Sequence, residues 1–221
     1  MAKRGFEIAL REERKVPSQQ QGAGSLEFAL SEDFLKAQSQ QGVGSVYLAI
    51  DHSASMGEGD KLDQAKRGSR NFVREALAMG YLVGLIQFDG SPSHLCEPKK
   101  EIEVLEQHIN AIRIGFYTNI TEAIKLADEK LRERTGFRVI VVATDGEPWP
   151  PDSKEAALRA AEQIKKSGID IIAIGTDDAD KDFLKKLASR ADLGVKVTRE
   201  QFGPSIAGAA KMLPMLPKRT N

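Results

Sequence analysis

From Val46 onward the chain alternates short apolar runs with amphipathic helical patterns, and few folds accommodate that alternation. Strand-like runs occur at Val46–Ile50, Tyr81–Phe88, Arg138–Ala143, Ile169–Gly175 and Gly194–Thr198. Strands that are apolar without polar alternation are buried on both faces, which means a parallel sheet covered by helices. Between the runs, Leu62, Ala65, Phe72, Val73, Ala76 and Leu77 recur at helical spacing. So do Ile102, Leu105, Ile109 and Ile112, then Ile120, Ala123, Ile124, Ala127 and Leu131. Further helices are expected at Ser153–Lys166, Asp180–Ser189 and Gln201–Met212, and the short segment Ser93–Cys96 reads as an antiparallel edge strand. The expected fold is α/β, with a six-stranded, mostly parallel sheet between two layers of helices. In such sheets ligands bind beyond the carboxyl ends of the strands, near the point where strand order reverses.

The first 43 residues do not follow this pattern. Phe6, Ile8 and Leu10 alternate with Glu7 and Ala9, and Leu26, Phe28 and Leu30 alternate with Glu27 and Ala29, so each reads as a half-exposed strand. An N-terminal β extension is expected over residues 1–43, a hairpin with a polar connection. One α/β domain then spans 44–213, followed by a tail over 214–221. A length of 221 residues suits one such domain with an extension better than two ordinary domains.

Charge and cysteine usage narrow the partners. The chain has 32 Lys+Arg against 32 Asp+Glu, so no net field draws in nucleic acid or an anionic membrane. No stretch of apolar residues is long enough to span a bilayer, and the start lacks the apolar core of a signal peptide. The one cysteine, Cys96, excludes an internal disulfide framework and is expected to be a buried or edge-strand thiol. A cytoplasmic protein is the expectation.

The chemistry concentrates at strand ends. Asp51-His52-Ser53-Ala54-Ser55 follows the run Val46–Ile50 and leads into a Gly-containing loop. If the segment is extended, residues i, i+2 and i+4 point the same way, and a carboxylate and two hydroxyls converge on one point. Such hard oxygen donors suit Mg²⁺ or Mn²⁺ rather than zinc. Read alone, the stretch is equally a polar turn. Thr118, after Gly115-Phe116-Tyr117, precedes another helical pattern, and Asp145 ends the run Val139–Ala143 just before Gly146.

Asp and two Ser, then Thr, then Asp, each at a junction into a helix, resemble the metal-ion-dependent adhesion site of von Willebrand factor A domains, with all five positions filled. The resemblance runs from about Gly44 to about Leu213. It implies a Rossmann-like three-layer sandwich of strand order 3-2-1-4-5-6 with one antiparallel edge strand. It also implies that Ser53, Ser55 and Thr118 contact a cation through their hydroxyls, that Asp51 and Asp145 act mostly through water, and that one position remains for a partner's Asp or Glu. The function implied is a divalent-cation-dependent protein-binding module and not an enzyme. By analogy with soluble bacterial members of the family, the partner would be a MoxR-type ATPase or a component of a stress-resistance system.

Around these donors, His52, Tyr117, Glu147 and Trp149 are candidates for a partner-binding rim. An aromatic on a proline-stiffened loop loses little entropy on binding, although Trp149 could instead fold back over the sheet edge. Asp89 and Asp177-Asp178 either deepen the negative potential of the site or do ordinary turn and cap chemistry. A Mg²⁺-dependent phosphohydrolase is the alternative, but the chain lacks an Asp-x-Asp nucleophile, a phosphate-binding loop and a Gly-x-Ser-x-Gly elbow. Lys61 and the histidines sit in no motif that makes them acid, base or charge neutraliser. A third reading is a scaffold whose site holds no metal.

Overall fold

The computed structural model describes residues 44–149 and 153–216. The hairpin expected over 1–43 and the end of the tail, 217–221, lie outside the described residues. Six strands form one sheet: β1 (Ser45–Asp51), β2 (Leu82–Phe88), β3 (Pro92–Lys99), β4 (Arg138–Thr144), β5 (Asp170–Thr176) and β6 (Gly194–Val197). Their order is β3-β2-β1-β4-β5-β6, as the resemblance implied. Among the described strands only the β2–β3 pair is antiparallel. The fold is the expected Rossmann-like α/β sandwich.

Among the described residues six helices cover the sheet: α1 (Lys61–Ala78), α2 (Ile102–Ala111), α3 (Ile120–Arg132), α4 (Ser153–Lys166), α5 (Lys181–Leu187) and α6 (Arg199–Gly208). Helix α1 packs against α2 and α6 on one face, while α3, α4 and α5 pack in sequence on the other. Every residue of β1 is buried, and β4 is buried from Val139 onward. Unbroken Val, Ile and Leu runs cost nothing in such strands because both sides of the pleat are covered by helix, and each fully buried side chain contributes about 1.5–3 kcal/mol.

The edge strand is longer than the segment Ser93–Cys96. It runs from Pro92 to Lys99, with register irregularities opposite Val83–Ile86. An edge strand is covered on one side at most, so its ends carry no apolar signal. Cys96 is its buried thiol, and burial raises its pKa. Helix α5 is shorter than expected because Asp180 is its cap, accepting hydrogen bonds from the Asp182 and Phe183 amides at 2.8 and 3.2 Å. Helix α6 starts two residues early, at Arg199, and tightens after Gly208 into a 3-10 turn over Ala209–Met212.

Strand order reverses beside β1. The chain leaves β1 toward β2 through α1, and β4 returns on the opposite side, so the crevice between the carboxyl ends of β1 and β4 is the topological switch point. Ile50 stands opposite Ala143, which brings Asp51 level with Thr144 and places Asp145 one residue beyond.

Candidate metal centre

The base of the crevice is Asp51, the last residue of β1 and fully buried. Its Oδ1 accepts the Ser53 amide at 2.8 Å and its Oδ2 accepts the Thr144 hydroxyl at 2.5 Å. The extended-segment argument holds only as far as Ser53. Beyond it the chain turns into a 3-10 helix, Ala54–Gly57, closed by the Met56 amide on the Ser53 carbonyl and the Glu58 amide on the Ser55 carbonyl, both 3.0 Å. Ser55 therefore joins Ser53 by a turn and not by the strand pleat. The result still gathers the donors: the two hydroxyl oxygens lie 3.2 Å apart, and Ser55 donates to Asp145 Oδ1 at 2.8 Å.

Backbone hydrogen bonds stitch the three loops together. The Ala54 amide donates to the Phe116 carbonyl at 3.0 Å and the Gly115 amide to the His52 carbonyl at 2.6 Å, fastening the Thr118 loop to the Ser53–Ser55 loop. The Trp149 amide donates to the Thr118 carbonyl at 2.8 Å, fastening the loop after β4 to both. Thr118, itself buried, is held between them just before α3. Asp89 completes the frame: its Oδ2 accepts the Phe116 amide at 3.2 Å, its Oδ1 the Ser91 amide at 3.0 Å, and its carbonyl the Asn119 amide at 2.7 Å. The turn-and-cap reading of Asp89 is the one observed.

Lys61, which sits in no sequence motif, meets the site as a neutralising charge. Its ammonium is 2.6 Å from Asp145 Oδ2 and 3.3 Å from Asp177 Oδ2, and its side chain is only 1% exposed. Burial alone would lower its pKa, but hydrogen bonding and charge attraction from Asp145 and Asp177 outweigh that and raise it, so the group is firmly cationic. Asp177, at φ +46°, is in turn gripped by Arg199 through Nη2 at 2.6 Å and Nε at 3.1 Å. That grip, before burial and Lys61 are considered, holds its carboxyl below the usual range. Asp177 thus does not leave a bare negative charge on the site, as the potential-deepening reading required. Asp145, Asp177 and Glu58 lie against Lys61, and Asp177 also against Arg199. A chain signal was present: a lysine at the first position of a helix is at the unfavourable end of the helix dipole and needs anions nearby.

The donor set fits a hard divalent cation. Asp51, Ser53, Ser55 and Asp145 form one hydrogen-bonded group of oxygen donors at the base of the crevice, and the buried Thr118 sits on the loop fastened beside them. Among the described residues no group of three or more His, Cys, Asp or Glu is arranged to hold a metal, so a zinc-type cluster is not formed elsewhere. Asp51 is the least comfortable member. Burial, opposed by hydrogen bonds from Thr144 and Ser53, pushes its pKa from 3.8 to about 7. The folded metal-free protein therefore holds this proton more tightly than the unfolded chain does. The stabilisation is full below about pH 4 and is lost as pH rises through about 7. Thermal unfolding of chelator-treated protein should show it: the melting temperature of wild type relative to Asp51→Asn falls between pH 4 and 7. A constant difference across that window would contradict the assignment.

The rim differs from expectation at two positions. His52 is 8% exposed, with Nδ1 buried and unpartnered among the described residues, because its backbone is clamped on both sides by Phe88 and Gly115. It is a wall and not a solvent-facing contact. Glu147 is exposed but tied to Lys154 at 2.7 Å. Tyr117 and Trp149 are exposed at 60% and 54%, and Trp149 does not fold back over the sheet. Phe116, at 78%, and Ile114 join them, two apolar contributors the sequence reading left out of the rim.

Residues 45–205 match the von Willebrand factor type A domain, and the chain belongs to that family. Among solved structures, the fold resembles the von Willebrand factor domain of the type V pilus tip protein Mfa5 from Porphyromonas gingivalis, with a TM-score of 0.69 at 15% identity over 82% of this chain and 99% of that one. It also resembles proximal thread matrix protein 1 of the mussel byssus, solved with a zinc-occupied MIDAS motif, with a TM-score of 0.67 at 17% identity over 81% of this chain and 49% of that one. Among curated proteins, Protein NorD of Brucella melitensis is 25% identical over 116 residues, 49% of this chain. That match takes in only 18% of the NorD length. Domains of this family are protein-interaction modules. No described helix is long and apolar enough to cross a membrane.

Proposed function

We propose that the protein is a cation-dependent binding module whose complete adhesion site, Asp51, Ser53, Ser55, Thr118 and Asp145, holds Mg²⁺ or Mn²⁺ and presents it to an Asp or Glu of a protein partner. The observation that carries this reading is the pairing of buried oxygen donors with exposed apolar side chains. Ile114, Phe116, Tyr117 and Trp149 project from the same stitched loops that gather the donors. Apolar groups of that size, left in water beside a charged cleft, suit an interface in which a central polar anchor is sealed by aromatic contacts.

When bound, the cation supplies a fixed positive charge for the partner's carboxylate. The chain's own residues do the rest. Thr144 and the Ser53 amide orient Asp51, Ser55 orients Asp145, and the rim excludes water from the anchor. Lys61, the cation against Asp145, is held in ion pairs, and the hydroxyls that meet a carboxylate, Ser55 on Asp145 and Thr144 on Asp51, orient the donors, which favours binding over hydrolysis. The proposed setting is cytoplasmic, with a MoxR-type ATPase or stress-resistance component as the partner class.

The test is affinity capture in Mg²⁺ against EDTA, with the partner identified by mass spectrometry and its affinity then measured. Tyr117→Ala and Trp149→Ala should each weaken that complex by about tenfold or more, as truncated aromatic anchors do, while leaving Mg²⁺ binding unchanged. Capture that survives EDTA would refute the module. Metal-dependent turnover of a generic phosphate ester, lost in Asp145→Ala, would establish the hydrolase instead.

A further inference from the structure

Lys61 lies outside the five-donor motif, yet its ammonium is buried against the motif's second carboxylate. It stands 2.6 Å from Asp145 Oδ2, 3.3 Å from Asp177 Oδ2 and 3.5 Å from Glu58 Oε2. Two facts make this placement unusual for a residue that merely packs. Lys61 opens α1, where the exposed amides of the first turn already carry partial positive charge and a cation is disfavoured. It is also removed from water, which a lysine tolerates only with anions in contact. Asp177 is built to be one of those anions. Arg199 holds the same oxygen that faces Lys61, and the backbone of Asp177 adopts a left-handed conformation that non-glycine residues rarely take.

We propose that Lys61 is a displaceable counterion of the metal site, neutralising Asp145 before a divalent cation enters and retaining Asp177 as its seat afterwards. The proposal rests on the reading of the five donors as a cation site. Lys61 then sets the affinity of that site, because cation entry is an exchange of one positive charge for another at Asp145. A partner's carboxylate restores the negative charge that Lys61 subtracts, so cation and partner reinforce each other's binding.

Calorimetric titration of MgCl₂ and of MnCl₂ into chelator-stripped protein tests this, using wild type, Lys61→Met, Lys61→Gln and Asp177→Asn. Loss of a unit charge this close to the site should tighten cation binding about tenfold or more in both Lys61 variants. Asp177→Asn should weaken it several-fold, since Lys61 then has Asp145 as its main anion. The opposite signs are the signature, because a purely structural role would make all three variants bind more weakly. Thermal melts give a second reading. Metal-free Lys61→Met should melt below wild type, and Mg²⁺ should raise its melting temperature by more than it raises that of wild type. Cation binding by wild type that is unchanged or weaker in both Lys61 variants would overturn the counterion and leave the metal site standing. No binding by wild type or by either Lys61 variant would overturn both.

Discussion

Replacing Asp51 with Asn should remove cation binding while making the metal-free protein more stable, not less. The carboxylate is fully buried and its pKa is pushed up to about 7 by burial, so above that pH the fold carries an ionised group it solvates poorly. Asparagine keeps the size and one acceptor oxygen for the Thr144 hydroxyl or the Ser53 amide, and it removes the charge. A gain of about 1–3 kcal/mol at pH 8 in chelator is expected, read as a higher melting temperature, alongside loss of Mg²⁺ affinity by about a hundredfold or more. An ordinary structural aspartate would behave in the opposite way, because removing a paired buried charge costs stability. A wild-type protein stabilised by Mg²⁺ up to or beyond the level of the metal-free variant would complete the picture, since ligand binding to the folded state alone adds stability by mass action.

The second large effect is expected far from the donors. Gly68 of α1 and Gly203 of α6 meet backbone to backbone: a Cβ on Gly68 would run into the Gly203 carbonyl, and one on Gly203 would lie 2.8 Å from the Gln64 carbonyl oxygen. Gly68→Val therefore has no flexible neighbour to push aside, and the two helices must separate. Overpacking of this kind costs about 3 kcal/mol or somewhat more, and urea unfolding should show it as a lower midpoint. The change should reach the site as well. Helix α1 carries Lys61 at its first position and α6 carries Arg199 at its first position, so spreading the pair pulls on the two cations that share Asp177. A Gly68→Val protein with wild-type stability would show that the helices slide without cost and that their crossing does not position Lys61.

Most of the fold could be read from the chain because parallel-sheet strands announce themselves. Val46–Ile50 and Val139–Ala143 are apolar on both faces and end on polar residues, which located the crevice before any contact was known. The far end of the edge strand gave no such signal, since Lys99 pairs with Val83 only beyond a register irregularity, and Glu97 and Lys99 are charged residues. The five proposed donors stand out in the chain for a similar reason: each lies where an apolar run or loop meets a helix. How they are gathered was not legible, because the turn at Ser53–Gly57 depends on backbone hydrogen bonds that the residue types do not specify. Lys61 sits in no motif because its partners, Asp145 and Asp177, are far away in the chain, and only the return of β4 and β5 to the same sheet edge brings them within reach. His52 was misjudged by position alone; the neighbouring loops close over it.

Anomalous diffraction from crystals grown with Mn²⁺ tests the central claim most directly. The account predicts one strong peak in the crevice between the ends of β1 and β4, bounded by the hydroxyls of Ser53, Ser55 and Thr118, with Asp51 and Asp145 behind it and an outward position taken by water or by a carboxylate from a neighbouring molecule. A crevice without a peak at millimolar Mn²⁺, with Lys61 still on Asp145, would contradict it.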